Sequence, residues 1–245
     1  MWPDRRLIDL FKTEFPIVLA PMAGAMDAEL VIAAAQGGAL GSLPCAMISA
    51  EKAREQVGLI RQRVKAPVNM NFFCHTPAEL TAEAEARWKQ RLASYYTEHG
   101  LDPAAPIAAA NRAPFDSVFC EVVEELKPEV VSFHFGLPEQ ALLKRVKAAG
   151  CLVISSATTV KEAVWLEESG VDAVIAQGAE AGGHRGMFLT DRIAEQPGTF
   201  ALVPQVADAV KVPVIAAGGI ADGRGIAAAF ALGASGVQIG SAYLR

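Results

Sequence analysis

Residues 175–186, IAQGAEAGGHRG, bring an amide, a carboxylate and an imidazole close together where an apolar run gives way to a glycine turn. Such a set can move a proton, because imidazole accepts one near neutral pH. The run Ala173-Val174-Ile175-Ala176 reads as a buried parallel strand. Gln177, Glu180 and His184 then fall just past its C-terminal end, where α/β folds keep their active groups. Gly182 and Gly183 let the backbone come close to a ligand. Of the four histidines, His184 alone follows a Gly-Gly pair, and it is the candidate catalytic residue. His134, in SFHFG, lies at another strand end and is a candidate lining residue, while His75 and His99 read as peripheral. Arg185 reads equally as an attractor of an anionic substrate or as a surface residue. Glu180 reads as an orienter of its own loop through backbone N–H groups.

The elements that must position these residues follow a regular rhythm of short apolar runs and segments of helical period, the signature of repeated βα units. Eight strands are expected: 17–20, 39–43, 68–72, 130–133, 152–155, 173–176, 214–217 and 236–239. Helices fit between them at 28–36, 50–64, 139–149, 160–169, 200–210 and 223–232. Eight units suggest a TIM (β/α)8 barrel, although spacing alone also permits an open doubly wound sheet. The polar, helix-forming stretch within 74–114 reads as a helical insertion after strand three, over the C-terminal face or as a solvated decoration. Arg245 follows soon after strand eight, so the closing helix of the barrel is absent from this sequence. The barrel edge is then exposed, covered by a partner such as a second copy, or completed by residues not in this sequence.

A chain of 245 residues at 52% hydrophobic content supplies one large core, so residues 1–245 are read as a single domain. A net charge of −5 and a pI near 5.5 give no basic footprint for nucleic acid or an anionic membrane surface. The N-terminus MWPDRRLIDLFK has no apolar signal region, and no long stretch is free of charges and turn residues, so a cytoplasmic protein acting on small molecules is expected. Cys45, Cys74, Cys120 and Cys151 are far apart, without CxxC or metal-ligand spacing, and read as reduced thiols.

Six ordered blocks resemble the nitronate monooxygenase family, formerly called 2-nitropropane dioxygenases, a group of FMN-dependent TIM barrels. They are APMAG at 20–24, GGALG at 37–41, VNMNFF at 68–73, VVSFHFGLP at 130–138, QGAEAGGHRG at 177–186 and IAAGGIADGRGIAAAFALGASGVQIGSAYL at 215–244. The resemblance covers nearly the whole chain, and family members normally continue for some tens of residues beyond it. It implies oxidation of a nitronate by O2, through FMN, to a carbonyl compound and nitrite.

The loops after strands seven and eight commonly bind phosphate in such barrels, and here they read AAGGIADG and QIGSA. The resemblance places the FMN phosphate on Gly219, Gln238, Ile239, Gly240 and Ser241, the last being Ser where Thr is common. It sets Met22, in the APMA turn, against the flavin, and brings Asn71, Gln177 and Gly182 to the cofactor. Asn71 and Gln177 are amides at the ends of apolar strands, which need hydrogen-bond partners there; Asn69, on the same face as Asn71, is the weaker alternative. His184 matches the family's catalytic position. The related flavin-dependent enoyl-acyl-carrier-protein reductases also carry a Gly-Gly-His turn and take hydride from NAD(P)H. Gln177 stands where they usually have an acidic residue, which favours the nitronate reading. An NADH:quinone reductase and a truncated flavin-binding protein without turnover are the remaining alternatives. No GxGxxG dinucleotide fingerprint is present.

Overall fold

The computed structural model describes residues 2–77, 81–105 and 112–244, and places eight parallel strands in one sheet. They are β1 (Ile17–Leu19), β2 (Gly41–Pro44), β3 (Val68–Phe73), β4 (Val130–His134), β5 (Leu152–Ala157), β6 (Ala173–Gln177), β7 (Val214–Ala217) and β8 (Gly236–Ile239). β1 pairs with β8 from Ile17–Val237 to Leu19–Ile239. The seam between β1 and β2 is a single bridge, Val18 to Leu40, with Leu19 N donating to Leu40 O and Leu40 N to Ile17 O, both at 2.9 Å. The sheet therefore curls into a nearly closed barrel, and the open-sheet alternative is excluded. β8 has partners on both sides, β7 and β1, as a barrel requires.

Around the strands lie α1 (Arg6–Phe11), α2 (Ala28–Gln36), α3 (Ala50–Arg63), α4 (Ala82–Glu98), α5 (Ser117–Leu126), α6 (Gln140–Ala148), α7 (Val160–Glu168), α8 (Thr199–Ala209) and α9 (Gly223–Ala231). Several start on a side chain that accepts an otherwise unsatisfied N–H, which explains where the βα loops stop. Asp27 accepts from Glu29 N at 3.0 Å, Asp116 from Phe119 N at 2.9 Å and Asp222 from Arg224 N at 2.9 Å. The helix α4 has no buried side chain and leaves Trp88 and Tyr95 exposed, so this helix is solvated. Residues 78–80 and 106–111 of the expected insertion lie outside the described residues.

Strand alternation sends one set of side chains outward to the helices and the other to the barrel axis. Low on the axis, Val18, Leu40, Val130, Ile154, Ile175 and Ile215 form an aliphatic plug, closed by Leu7 and Phe11 of α1. Higher up, the inward positions turn polar: Ser42, Asn69, Asn71, Ser132, Ser156 and Gln177 are all buried. This change of character along the axis separates the stabilising end of the barrel from the end that can hold a ligand.

Candidate active site

The C-terminal strand ends open into a cavity of about 530 Å³, within the ~300–1,000 Å³ usual for small-molecule sites. The turn after β1 contributes Ala20 to Ala23, and β3 and β4 contribute Asn71, Phe73, Ser132 and His134. The loop after β6 brings Glu180 to His184, and the loops after β7 and β8 bring Gly218 to Ala221 and Gly240 to Ala242.

His184 presents an exposed imidazole to this cavity, with its ring edge-on to Phe73 at 5.4 Å and Phe135 at 5.9 Å between centroids. Its backbone is held by two side chains from the barrel. Gln177 Nε2 donates to the His184 carbonyl at 2.9 Å while Gln177 Oε1 accepts from Gly186 N at 2.7 Å. His134 Nε2 reaches the same carbonyl at 3.2 Å, and its Nδ1 lies 3.0 Å from Ser156 Oγ. Burial pushes the His134 pKa down to about 4, against the opposing effect of the His184 carbonyl.

Three further groups shape this loop. Burial raises the Glu180 carboxyl, but hydrogen bonds from Thr199 N at 2.6 Å and Thr199 Oγ1 at 2.9 Å, with its own backbone N–H and the Arg185 charge, together outweigh it, and the net shift is downward. Glu180 thereby caps α8, whose own N-cap is Gly198 with no side chain to do so. This agrees with its expected role as a loop orienter. Arg185 donates from Nη1 to the carbonyls of Ala179 and Ala181, clasping its own loop. Glu162, fully buried at the start of α7, accepts from Thr158 N and Oγ1 at 2.7 Å through Oε2. Its Oε1 accepts from Phe188 N at 2.7 Å and Leu189 N at 3.1 Å, fixing the segment that follows His184.

On the other side of the cavity, the loops after β1, β6, β7 and β8 converge. Gly218 and Gly219 adopt φ of +122° and +70°, which L side chains rarely accept. A Cβ on Gly182 would lie 3.4 Å from Ser241 Oγ, and one on Gly240 would lie 3.3 Å from Ala20 Cβ and 3.5 Å from Met22 Sδ. Gln238 Oε1 is buried here without a hydrogen-bond partner. A nest of backbone and one hydroxyl is suited to an anion, and the unpartnered amide oxygen is suited to a ligand that donates.

Of the sequence candidates, Met22, Asn71, Gln177, Gly182, His184, Gly219, Gln238, Gly240 and Ser241 all line the cavity. Ile239 lies outside its lining: the side chain packs among the core residues and the carbonyl accepts from Ala20 N at 2.8 Å. The amides also find protein partners that the sequence did not reveal. Gln177 is engaged by the loop backbone, and Asn71 Nδ2 donates to Ser132 Oγ at 2.9 Å. Asn69 sits deeper and bonds Ser42 and Ser132 at 2.9 Å each. Sequence reasoning did not single out Phe73, Ser156 or Arg112, which also line the cavity.

A family model described as nitronate monooxygenase matches residues 4–245. The chain belongs to the nitronate monooxygenase family. It is thus a member of a family of oxidoreductases that is flavin-dependent in general. The nitronate monooxygenase of Paraburkholderia phytofirmans is 43% identical over 241 residues, covering 98% of this chain and 66% of that protein. That of Pseudomonas aeruginosa is 40% identical, with coverage of 98% and 68%. Among solved structures, the nitroalkane oxidase of Streptomyces ansochromogenes aligns with TM-score 0.85 at 36% identity, covering 98% of this chain and 68% of its own. FabK from Thermotoga maritima aligns at TM-score 0.73 and 31% identity, covering 100% and 63%. The chain thus spans about two thirds of the length of the curated relatives it matches. Among the described helices, none is long and apolar enough to cross a membrane.

Proposed function

We propose that this member of the nitronate monooxygenase family binds FMN in the cavity at the top of the barrel and oxidises alkyl nitronates with O2 to carbonyl compounds and nitrite. One observation carries the reading: the glycine-built nest and the exposed His184 imidazole open into a single cavity. The residues fit the cofactor. Gly219, Gly240 and Ser241 would hold its phosphate, Gln238 Oε1 would accept from one of its donors, and the Ala20–Ala23 turn with Met22 would flank its ring. Bound FMN supplies the electron acceptor for the nitronate and the route of electrons to O2. The protein supplies positioning and electrostatics. Phe73 and Phe135 pack against the imidazole ring in T-shaped contacts and orient it. His184 stands where it can take the α-proton of a nitroalkane, or hold an already ionised nitronate by hydrogen bonding. A cytoplasmic site of action goes with this reading, and its four cysteines, all without disulfide partners, agree with it.

The likeness to FabK keeps a reductase as the competing reading. The deciding experiment is to record the visible spectrum of the purified protein and mix it anaerobically with propionate 3-nitronate or with NADH. Bleaching of flavin absorbance by the nitronate, reversed by air with nitrite release, supports the monooxygenase. Rapid bleaching by NADH supports a reductase, and a colourless protein refutes the cofactor assignment.

A further inference from the structure

We propose that His134 is a positioning residue for His184: a neutral hydrogen-bond donor that pins the backbone of the neighbouring histidine and leaves His184 as the proton-exchanging member of the pair. This rests on the function proposed above for His184. The tautomer follows from the partners. A backbone carbonyl only accepts, so the His134 nitrogen at 3.2 Å from the His184 carbonyl, Nε2, carries the proton. In the neutral ring Nδ1 is then a lone pair, and the Ser156 hydroxyl at 3.0 Å donates to it. Gln177 Nε2 donates to the same carbonyl at 2.9 Å, so strands β4 and β6 both hold one oxygen of the residue whose ring faces the cavity.

The surroundings are built tightly around this arrangement. A Cβ on Gly186 would fall 2.7 Å from His134 Cε1 and 3.1 Å from Ser156 Cβ, so the chain can pass over the imidazole only as glycine. Phe135 takes a left-handed φ of +69°, a conformation a phenylalanine rarely adopts, and its ring meets His134 at 4.6 Å and His184 at 5.9 Å. The titratable neighbours are few. His184 faces His134 from the loop after β6, and His75 packs on the same Phe73 and Phe135 rings from the end of β3. Glu180 lines the cavity but is bonded to Thr199, and Arg112 lines it as an exposed cation. No carboxylate hydrogen-bonds the His134 ring among the described residues, and burial disfavours its charged form. A buried imidazole kept neutral, with its donor spent on the backbone of a second histidine, leaves that second ring to do the acid–base work.

The test is a double-mutant cycle on the flavin-loaded protein with His134→Leu, His184→Ala and the pair, and with His134→Gln, which keeps a donor near the Nε2 position. Flavin content and anaerobic flavin reduction by nitroethane and by ethylnitronate are the readouts. His134→Leu should retain flavin and lose about tenfold or more in limiting rate with nitroethane, since a small misplacement of a reacting group is costly. In the His184→Ala background the same change should cost no more than about twofold, because there is no imidazole left to position. His134→Gln should recover to within about threefold of the parent rate. Equal costs in both backgrounds, or no cost in either, overturn the proposal.

Nitrogen-15 spectra of the histidine side chains, assigned with His134→Gln, provide a readout that needs no turnover. His134 should hold the neutral Nε2–H form from about pH 8 down to about pH 5.5. Titration of His134 in that window, or an Nδ1–H tautomer, overturns the proposal even if the protein proves to act on a different substrate. A wild-type protein inert towards nitronates would refute the proposed function while these spectra still decide the state of His134.

Discussion

Replacing Glu162 by Gln tests whether the His184 loop is held by a buried carboxylate. Four donors converge on this side chain, Thr158 N and Oγ1 on Oε2 and Phe188 N and Leu189 N on Oε1, and the residue has no exposed surface. An amide offers one oxygen, so it must keep two donors and turn its NH2 towards the other two. The cheaper orientation faces the NH2 towards Thr158, whose hydroxyl can rotate to accept, leaving Thr158 N opposed by another donor. That stranded N–H costs about 1–3 kcal/mol, and the remaining bonds lose their charge assistance at roughly 0.5–1 kcal/mol each. Removing a buried charge also relieves its desolvation cost, but Thr158 N stays in place without an acceptor and the other bonds lose the charge that strengthened them, so the loss prevails. A net destabilisation of about 3 kcal/mol in a chain of this length lowers the melting temperature by roughly 6–12 °C. Thermal melts followed by far-ultraviolet circular dichroism would measure it, with Glu162→Ala expected to fall further. A Gln variant melting within about 2 °C of wild type would refute the four-bond account, because even one stranded donor predicts more than that.

His184→Ala should retain flavin absorbance yet lose about 100-fold or more in nitroalkane turnover, and full activity would remove the imidazole from the chemistry. Arg112 is an exposed cation on the cavity lining, so Arg112→Ala should raise KM for an anionic nitronate several-fold at low salt. At an ionic strength of about 0.5 M the two proteins should converge, and a salt-independent gap would argue against charge steering. Gly219→Val places a β-branched residue at φ +70° beside Glu180, 3.4 Å from its Cβ, and should purify with markedly less flavin while the barrel still melts cooperatively. Undiminished flavin would displace the phosphate from this nest. The Asp222 carboxyl is held down at about 2, below its ordinary 3.8, by the Arg224 side chain and the N–H groups of Gly225 and Arg224. A depressed carboxylate contributes stability above its unfolded value and loses it as pH falls through the folded one. Asp222→Ala should therefore be less stable than wild type at pH 7, with the gap closing between about pH 4 and pH 2; a gap constant over that range would show that the ion is irrelevant.

The barrel strands were legible because each is a short apolar run bounded by turn residues, a pattern that survives without tertiary information. β2 shows the limit: Ala39 and Leu40 continue the apolar run, but Leu40 makes only an isolated bridge to Val18, and the ladder starts at Gly41. The helix α1 escaped notice because six residues, RLIDLF, are too few for a period to emerge, and its purpose as a plug exists only once the barrel closes around Leu7 and Phe11. The helix α5 carried a readable signal, Asp116 ahead of SVFCEVVEEL, lost beside the polar insertion before it. Within the site, a strand end followed by Gly-Gly-His was enough to find His184. Glu162 was visible only as the fourth position of the capping pattern TVKE, which predicts a bond to the helix start and not its reach to Phe188. The loop groups that Gln177 and His134 hold are backbone groups brought in by the turn itself, and no residue-type pattern encodes a carbonyl.

The two ends of the cavity are therefore built from different materials, and that difference has a functional consequence. The nest of Gly218, Gly219 and Gly240 is mostly main chain, placed by the ends of β7 and β8, and its geometry is lost only when a side chain intrudes or a φ is forbidden. The His184 end is a loop held by Gln177, His134 and Glu162, which come from β6, β4 and α7. Each of these tethers costs one to a few kcal/mol to break, far less than the barrel itself, so the loop can loosen while the nest persists. Substitutions in the tethers should accordingly lower turnover with the flavin still in place, whereas substitutions in the nest should lower flavin content. On the function proposed above, a fold that separates holding from reacting in this way lets the reacting loop vary without losing the cofactor.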